Sequence, residues 1–167
     1  MSDKIIAKTD LRQWLASLVA GNDVIAPLGR EGGPAQWKAI DGNQEIDLGA
    51  GQMVMAAKEY LLPVHDVLWR YETKKGEEKL EQPELPDRPT VMVGLRLCDA
   101  RAISVLDSVY MDGRFRDPYY ATRREKLALV ATVCDDPRWS CFCTSVGDLD
   151  EWAKGVDVLL TDLGDNV

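Results

Sequence analysis

Histidine is almost absent from this sequence, phenylalanine is scarce, and basic residues are outnumbered. There are one His and two Phe, and 20 Lys and Arg stand against 28 Asp and Glu. The resulting net charge of −8 excludes a nucleic-acid reader, because phosphate attraction needs a basic face. No stretch approaches the roughly 20 apolar residues that cross a bilayer, so no membrane span is expected. The opening MSDKIIAKTD lacks an apolar run of signal-peptide length. A cytoplasmic setting is therefore expected, in which thiols stay reduced. LGREGGP contains glycines but does not match the G-x-G-x-x-G dinucleotide fingerprint. No internal repeat, catalytic triad, acid–base pair or substrate motif is visible.

What is present suffices for a core, with 46% of 167 residues hydrophobic. The length suits one domain over residues 1–167. Within it, residues 1–72 read as a mixed N-terminal subregion, 73–89 as a polar linker or loop, and 90–167 as an α/β subregion.

TDLRQWLASLVAGN predicts a helix capped by Thr9 or Asp10 and ended by a left-handed Gly21. Its apolar stripe is Leu11, Trp14, Leu15, Leu18 and Val19. VIAPLG predicts a strand stopped by Pro27, and QWKAI a second strand after a turn at REGGP. Trp14 and Trp37 read as core residues. Residues 53–71 mix a strand with a helix interrupted by Pro63, leaving His65 exposed beyond that proline rather than binding a metal. ETKKGEEKLEQPELPDRP reads as a solvated loop, at most a hairpin edge.

The second half has a clearer pattern. TVMVGLRL, LALVATV and VDVLLTDLG are largely apolar runs of strand length. Between them lie helices starting at CDARAISVLDSVY with Asp99 as cap, at RDPYYATRREK with Asp117 as cap and Pro118 at the first helical position, and at DLDEWAKG. Continuous apolar strands alternating with helices predict an α/β fold. Its sheet would be mostly parallel and flanked by helices in the second half, with a smaller mixed α/β part at the N-terminus.

The four cysteines fall at informative places on this map. Cys98 and Cys134 each follow an apolar strand, and strand carboxyl ends share one sheet edge, where sites form. Cys141 and Cys143 sit a few residues on, in a polar loop. Seven extended residues reach up to about 23 Å, so the loop can fold back on Cys98. Four thiolates suit zinc or an iron–sulfur cluster. The spacing C-x35-C-x6-C-x-C contains neither the C-x2-C knuckles of zinc sites nor the C-x2-C-x2-C run of small ferredoxins. Cys98 at a helix start is expected to favour its thiolate. Buried structural cysteine remains the plainer reading for Cys98 and Cys134 alone. A non-catalytic interaction module with structural zinc on the same cysteines is one alternative role, and a flavin-binding electron carrier using a sheet-edge crevice is another.

VGLRLCDARAISVLD, DPYYATRRE, CFCTSVG and DVLLTDLGD, preceded by AAKEYLLPVHDVLWRYE, resemble a family of iron–sulfur electron-transfer subunits. That family includes the beta subunit of sulfhydrogenase-type nickel–iron hydrogenases and the A subunit of anaerobic sulfite reductase. The resemblance covers roughly residues 50–165. Members continue into a domain with two ferredoxin-type cysteine runs and two 4Fe–4S clusters, which these residues do not include. The resemblance implies the N-terminal domain of such a subunit, a non-catalytic module of a redox complex. Its partners would be ferredoxin-type and hydrogenase or reductase subunits. It favours an iron–sulfur cluster over zinc, and 4Fe–4S over 2Fe–2S, on Cys98, Cys134, Cys141 and Cys143. Ser140, Thr144 and Ser145 are candidate donors toward the sulfurs. Arg96 and Arg101 could offset the cluster's charge, or equally pair with Asp99 or Asp135.

Overall fold

The structure is a computed structural model that describes residues 4–49 and 53–164. Residues 1–3 and 165–167 of the expected 1–167 domain, and Ala50–Gln52 and Asp165 of the resembling stretch, lie outside the described residues. In chain order the elements are α1 (Lys8–Val19), β1 (Asp23–Arg30), β2 (Gly33–Ile40), a 3-10 turn (Ala57–Tyr60), β3 (Arg70–Lys74), β4 (Glu77–Glu81) and β5 (Thr90–Arg96). They continue with α2 (Leu97–Tyr110), α3 (Pro118–Glu125), β6 (Leu127–Thr132), α4 (Cys143–Val146), α5 (Leu149–Ala153) and β7 (Val158–Leu160).

Five strands form one sheet in the order β2-β1-β5-β6-β7, and β3 pairs with β4 in a separate hairpin. β1, β5, β6 and β7 are mutually parallel, with β2 antiparallel on the edge. The expected α/β architecture is therefore present, and strands of the N-terminal part and the second half share one sheet.

Both faces of this sheet are covered, which is why its central strands are apolar over most of their length. On one face Met92, Leu95, Leu129 and Ala131 pack with Ile103 of α2, Tyr120 of α3 and Trp152 of α5. On the other, Val24, Ala26, Val91, Val93 and Val130 pack with Leu11 and Leu15 of α1. Tyr120 is fully buried and stacks on Tyr110 with ring centroids 5.0 Å apart. Its hydroxyl donates to Asp107 at 2.7 Å, and the Arg124 guanidinium holds the same carboxylate at 3.0 Å. Burial, and then the Asp107 carboxylate, push the Tyr120 hydroxyl well above its ordinary range. This network ties α2 to α3 and, through Arg124 and the Leu127 carbonyl, to β6.

β5 carries one irregularity. Val93 pairs with Val130 and Leu95 with Ala131, so Gly94 is an extra residue in the ladder. Its φ is +84°, and a Cβ there would come within 2.9 Å of the Pro27 ring. The bulge resets the alternation: Val91 and Val93 face α1, whereas Met92 and Leu95 share the opposite face.

Several local expectations are corrected. The N-cap of α1 is Ala7, with no side-chain cap bond, because Thr9 and Asp10 already lie in the first turn. Gly21 is not among the residues at positive φ; the end of α1 is closed by the backbone and side-chain amides of Asn22 on the Leu18 carbonyl. Pro27 does not stop β1. The β1–β5 pairing reaches only Ile25↔Met92, so the missing N–H interrupts no ladder there. In residues 53–71 only the short 3-10 turn and the start of β3 are regular, and His65 is exposed. The polar segment holds a hairpin beginning at Arg70, turned by Lys75 and Gly76 at positive φ. Asp99 caps α2 from its third residue, accepting from the Arg96 N–H, while Arg96 is the N-cap. The Asp117 cap is as expected, its carboxylate accepting from the Tyr120 amide at 2.7 Å. Trp14 and Trp37 are partly buried against the two cores.

Candidate functional site

The parallel register fixes half of the site. Arg96 of β5 is paired with Thr132 of β6, and Cys98 and Cys134 each stand two residues further on. Adjacent strands lie about 4.8 Å apart, so both cysteines leave the same edge of the sheet from neighbouring strands. There the chain does two different things. After β5 it enters α2 at once, which makes Cys98 the second residue of the helix. After β6 it runs through residues 133–148, which carry Cys134, Cys141 and Cys143 and contain only the single turn α4.

This loop is anchored at its ends. The Val133 amide donates to the Leu160 carbonyl at 2.9 Å. At the far end Gly147 lies flat on the Trp152 indole, where a Cβ would be 2.7 Å from the ring. Asp148 then caps α5. Between the anchors, Trp139, Phe142 and Val146 are exposed. The Cys141 amide donates to Arg138 and the Ser145 amide to Phe142, so local turns hold the loop's shape.

All four cysteines are free thiols, three exposed and Cys143 half-buried. Cys143 packs against the core on the α2 face, close enough to Cys98 to act on its charge. Burial of the Cys98 sulfur, then the Asp99 carboxylate and then Cys143, raise the Cys98 thiol above its ordinary value, against the Asp99 backbone amide and Arg96. The helix start therefore does not make Cys98 a ready thiolate: partial desolvation and adjacent negative charge outweigh the amide and the Arg96 guanidinium. Asp99 is itself pushed up by burial.

Thus Cys98 and Cys143 are brought together, whereas Cys134 and Cys141 lie in the open loop. Among the described residues no three His, Cys, Asp or Glu side chains are gathered tightly enough to hold a metal ion. The donor chemistry suits a soft metal: four unpaired sulfurs on one edge, with none lost to a disulfide. Of the other candidates, Ser140 is exposed in a turn, and Thr144 and Ser145 lie exposed in α4. The Arg101 guanidinium donates to Ser104 along α2. Arg96 lies nearer the thiols and lowers both Cys98 and Asp99.

A feature that the sequence did not reveal is a cavity of about 360 Å³ on the α1 face at the same edge. Its lining comes from α1, the segment after β2, and the ends of β6 and β7, four places separated along the chain. The only local sign was the polar residue Thr132 closing an otherwise apolar strand.

An α/β module presenting free thiols at the carboxyl edge of a parallel sheet is thus the class that the structure defines. Over 145 residues this chain is 28% identical to sulfhydrogenase 2 subunit beta of Pyrococcus furiosus. The match takes in 83% of this chain and 41% of that protein, so the chain spans less than half the length of its relative. It bears out the sulfhydrogenase-beta-like resemblance carried by the motifs. No family model and no solved structure matches. Among the described residues no helix is long and apolar enough to cross a membrane.

Proposed function

We propose that this chain is an electron-transfer module of a multi-subunit redox complex of the hydrogenase, sulfur-reductase or sulfite-reductase type. It holds one iron–sulfur cluster, of the 4Fe–4S kind, on Cys98, Cys134, Cys141 and Cys143. The observation that carries this reading is the placement of Cys98 and Cys134 two residues beyond one registered pair, with Cys143 folded back toward Cys98. Similarity to a hydrogenase beta subunit supports the redox assignment. Partners are then other subunits of such a complex, in a reducing compartment such as the cytoplasm.

When bound, the cluster supplies one-electron storage at the sheet edge. The chain's own contribution is positional. β5 and α2 hold Cys98 in fixed register, and Trp152 under Gly147 fixes the far end of the loop. The loop carries the other three sulfurs, with Cys143 already packed on the α2 face, and Arg96 offsets part of their negative charge. Backbone amides and the hydroxyls of Ser140, Thr144 and Ser145 are the available donors to the sulfurs.

Single Cys→Ser variants, reconstituted anaerobically with iron and sulfide, test the assignment. The expected outcome is about four irons per chain in the parent protein and loss of most bound iron in each variant. Full iron and an unchanged spectrum in any variant removes that cysteine from the ligand set. About two irons per chain, with matching Mössbauer spectra, replaces 4Fe–4S by 2Fe–2S. Zinc without iron in the purified protein overturns the electron-transfer role.

A further inference from the structure

The cavity on the α1 face has a definite chemical character. Its floor is apolar, built from Leu11 and Leu15 of α1, Ile40, Ile46, Leu48 and Leu160. At about 360 Å³ it falls in the size range of small-molecule sites, and it lies at the carboxyl ends of parallel strands, where such sites concentrate. Its two basic groups are already engaged. Lys8 pairs with Asp162 at 2.7 Å and Arg12 with Glu45 at 3.0 Å, and both pairs are exposed.

The polar groups with spare capacity are of a different kind. Thr132 is buried, and its hydroxyl donates to the Leu95 carbonyl at 3.3 Å, leaving the oxygen able to accept. Asp135 has no ion-pair or hydrogen-bond partner among the described residues, and its carboxylate can only accept. Gln44 accepts from the Asp41 amide through its oxygen, leaving its NH2 group to donate. The lining thus offers an apolar floor, two acceptors, one amide donor and an excess of negative charge. An anionic ligand is disfavoured. A flat apolar ring with an N–H edge flanked by carbonyls complements this set.

We propose that this cavity binds an uncharged heteroaromatic ring of the isoalloxazine class, its N–H edge toward Thr132 and Asp135 and a ring carbonyl toward Gln44. Val133 and Asp135, which line the cavity, flank Cys134, so the ring stands beside the thiol loop. The assignment does not depend on a bound metal.

The test is titration of the cluster-free chain into riboflavin, read by quenching of the ring fluorescence. Saturable one-to-one quenching is expected. FMN, carrying a phosphate, is expected to bind at least about threefold more weakly because of the acidic lining. Ile46→Trp, which fills the cavity, is expected to weaken riboflavin binding at least about tenfold, and Asp135→Asn about threefold or more. Iron uptake by Ile46→Trp, measured in parallel, is expected to match the parent, which separates this site from the thiol site. Absence of saturable quenching overturns the proposal. So does FMN binding more tightly than riboflavin, or parental affinity in a natively folded Ile46→Trp. Should Ile46→Trp fail to fold, Asp135→Asn decides, and unchanged affinity in it counts against the proposal.

Discussion

Two junctions at the same sheet edge carry the four thiols, and they are built in opposite ways. At the first, β5 passes into α2 without an intervening residue, Leu95 and Leu97 are buried on either side of Arg96, and Asp99 closes the first turn. At the second, residues 133–148 run mostly through the open, held at their ends, by local turns and by Cys143 against the core, and Trp139 is 99% exposed. The first junction sets a position; the second supplies a reach. The proposed cluster site would use both, because a wholly rigid frame could not close over a large inorganic group and a wholly loose one would bear the full cost of ordering.

The sharpest way to break this contrast is Leu95→Ala. Leu95 is fully buried beneath α2 at the rigid junction, and its loss should cost about 2–5 kcal/mol of stability. Denaturant melts measure this, and a cost under about 1 kcal/mol would mean that the first junction is as soft as the second. An intermediate effect is expected in thiol chemistry. In the cluster-free protein at mildly alkaline pH, iodoacetamide should modify Cys141 before Cys98 although both residues are exposed, because partial desolvation of the Cys98 sulfur, Asp99 and Cys143 hold that thiol above its ordinary value. Because a raised thiol ionises later, the lag should shrink as pH increases. Peptide mapping of labelled samples would show equal rates at every pH if the two junctions were equivalent. The smallest effect is expected from Trp139→Ala, within about 0.5 kcal/mol of the parent, since almost no area is lost from the core. A larger destabilisation would show that the loop packs more tightly than its exposure indicates.

The sequence carried the parallel sheet plainly, because strands buried on both faces must be apolar along most of their length, as Leu127–Thr132 is up to its closing threonine. It also carried the placement of Cys98 and Cys134, since strand ends set that placement. What it concealed depended on tertiary contacts. Proline inside β1 looked like a stop signal, yet it is tolerated because the β1–β5 ladder has already ended at Ile25. The thiol of Cys98 was expected to ionise easily at a helix start, but the burial that raises it comes from packing that spacing does not encode. Residues 72–81 read as a solvated loop, at most a hairpin edge, because the hairpin is charged on one side; Trp69, Tyr71 and Leu80 on the other are too few to read as a core. The cavity drew on four distant segments and left almost no local trace.

The bulge at Gly94 has a consequence for how relatives of this chain can be recognised. Three residues separate that glycine from Cys98, and each of them takes its facing from it. No other side chain fits, since the left-handed backbone and the adjoining Pro27 ring each bar a Cβ. A homologue that kept four cysteines but lost the glycine would have to straighten β5, sending the residues after it to the opposite face and turning the first thiol away from the others. The spacing G-x3-C, read together with a proline in the neighbouring strand, is therefore a stricter signature of this edge than a count of cysteines.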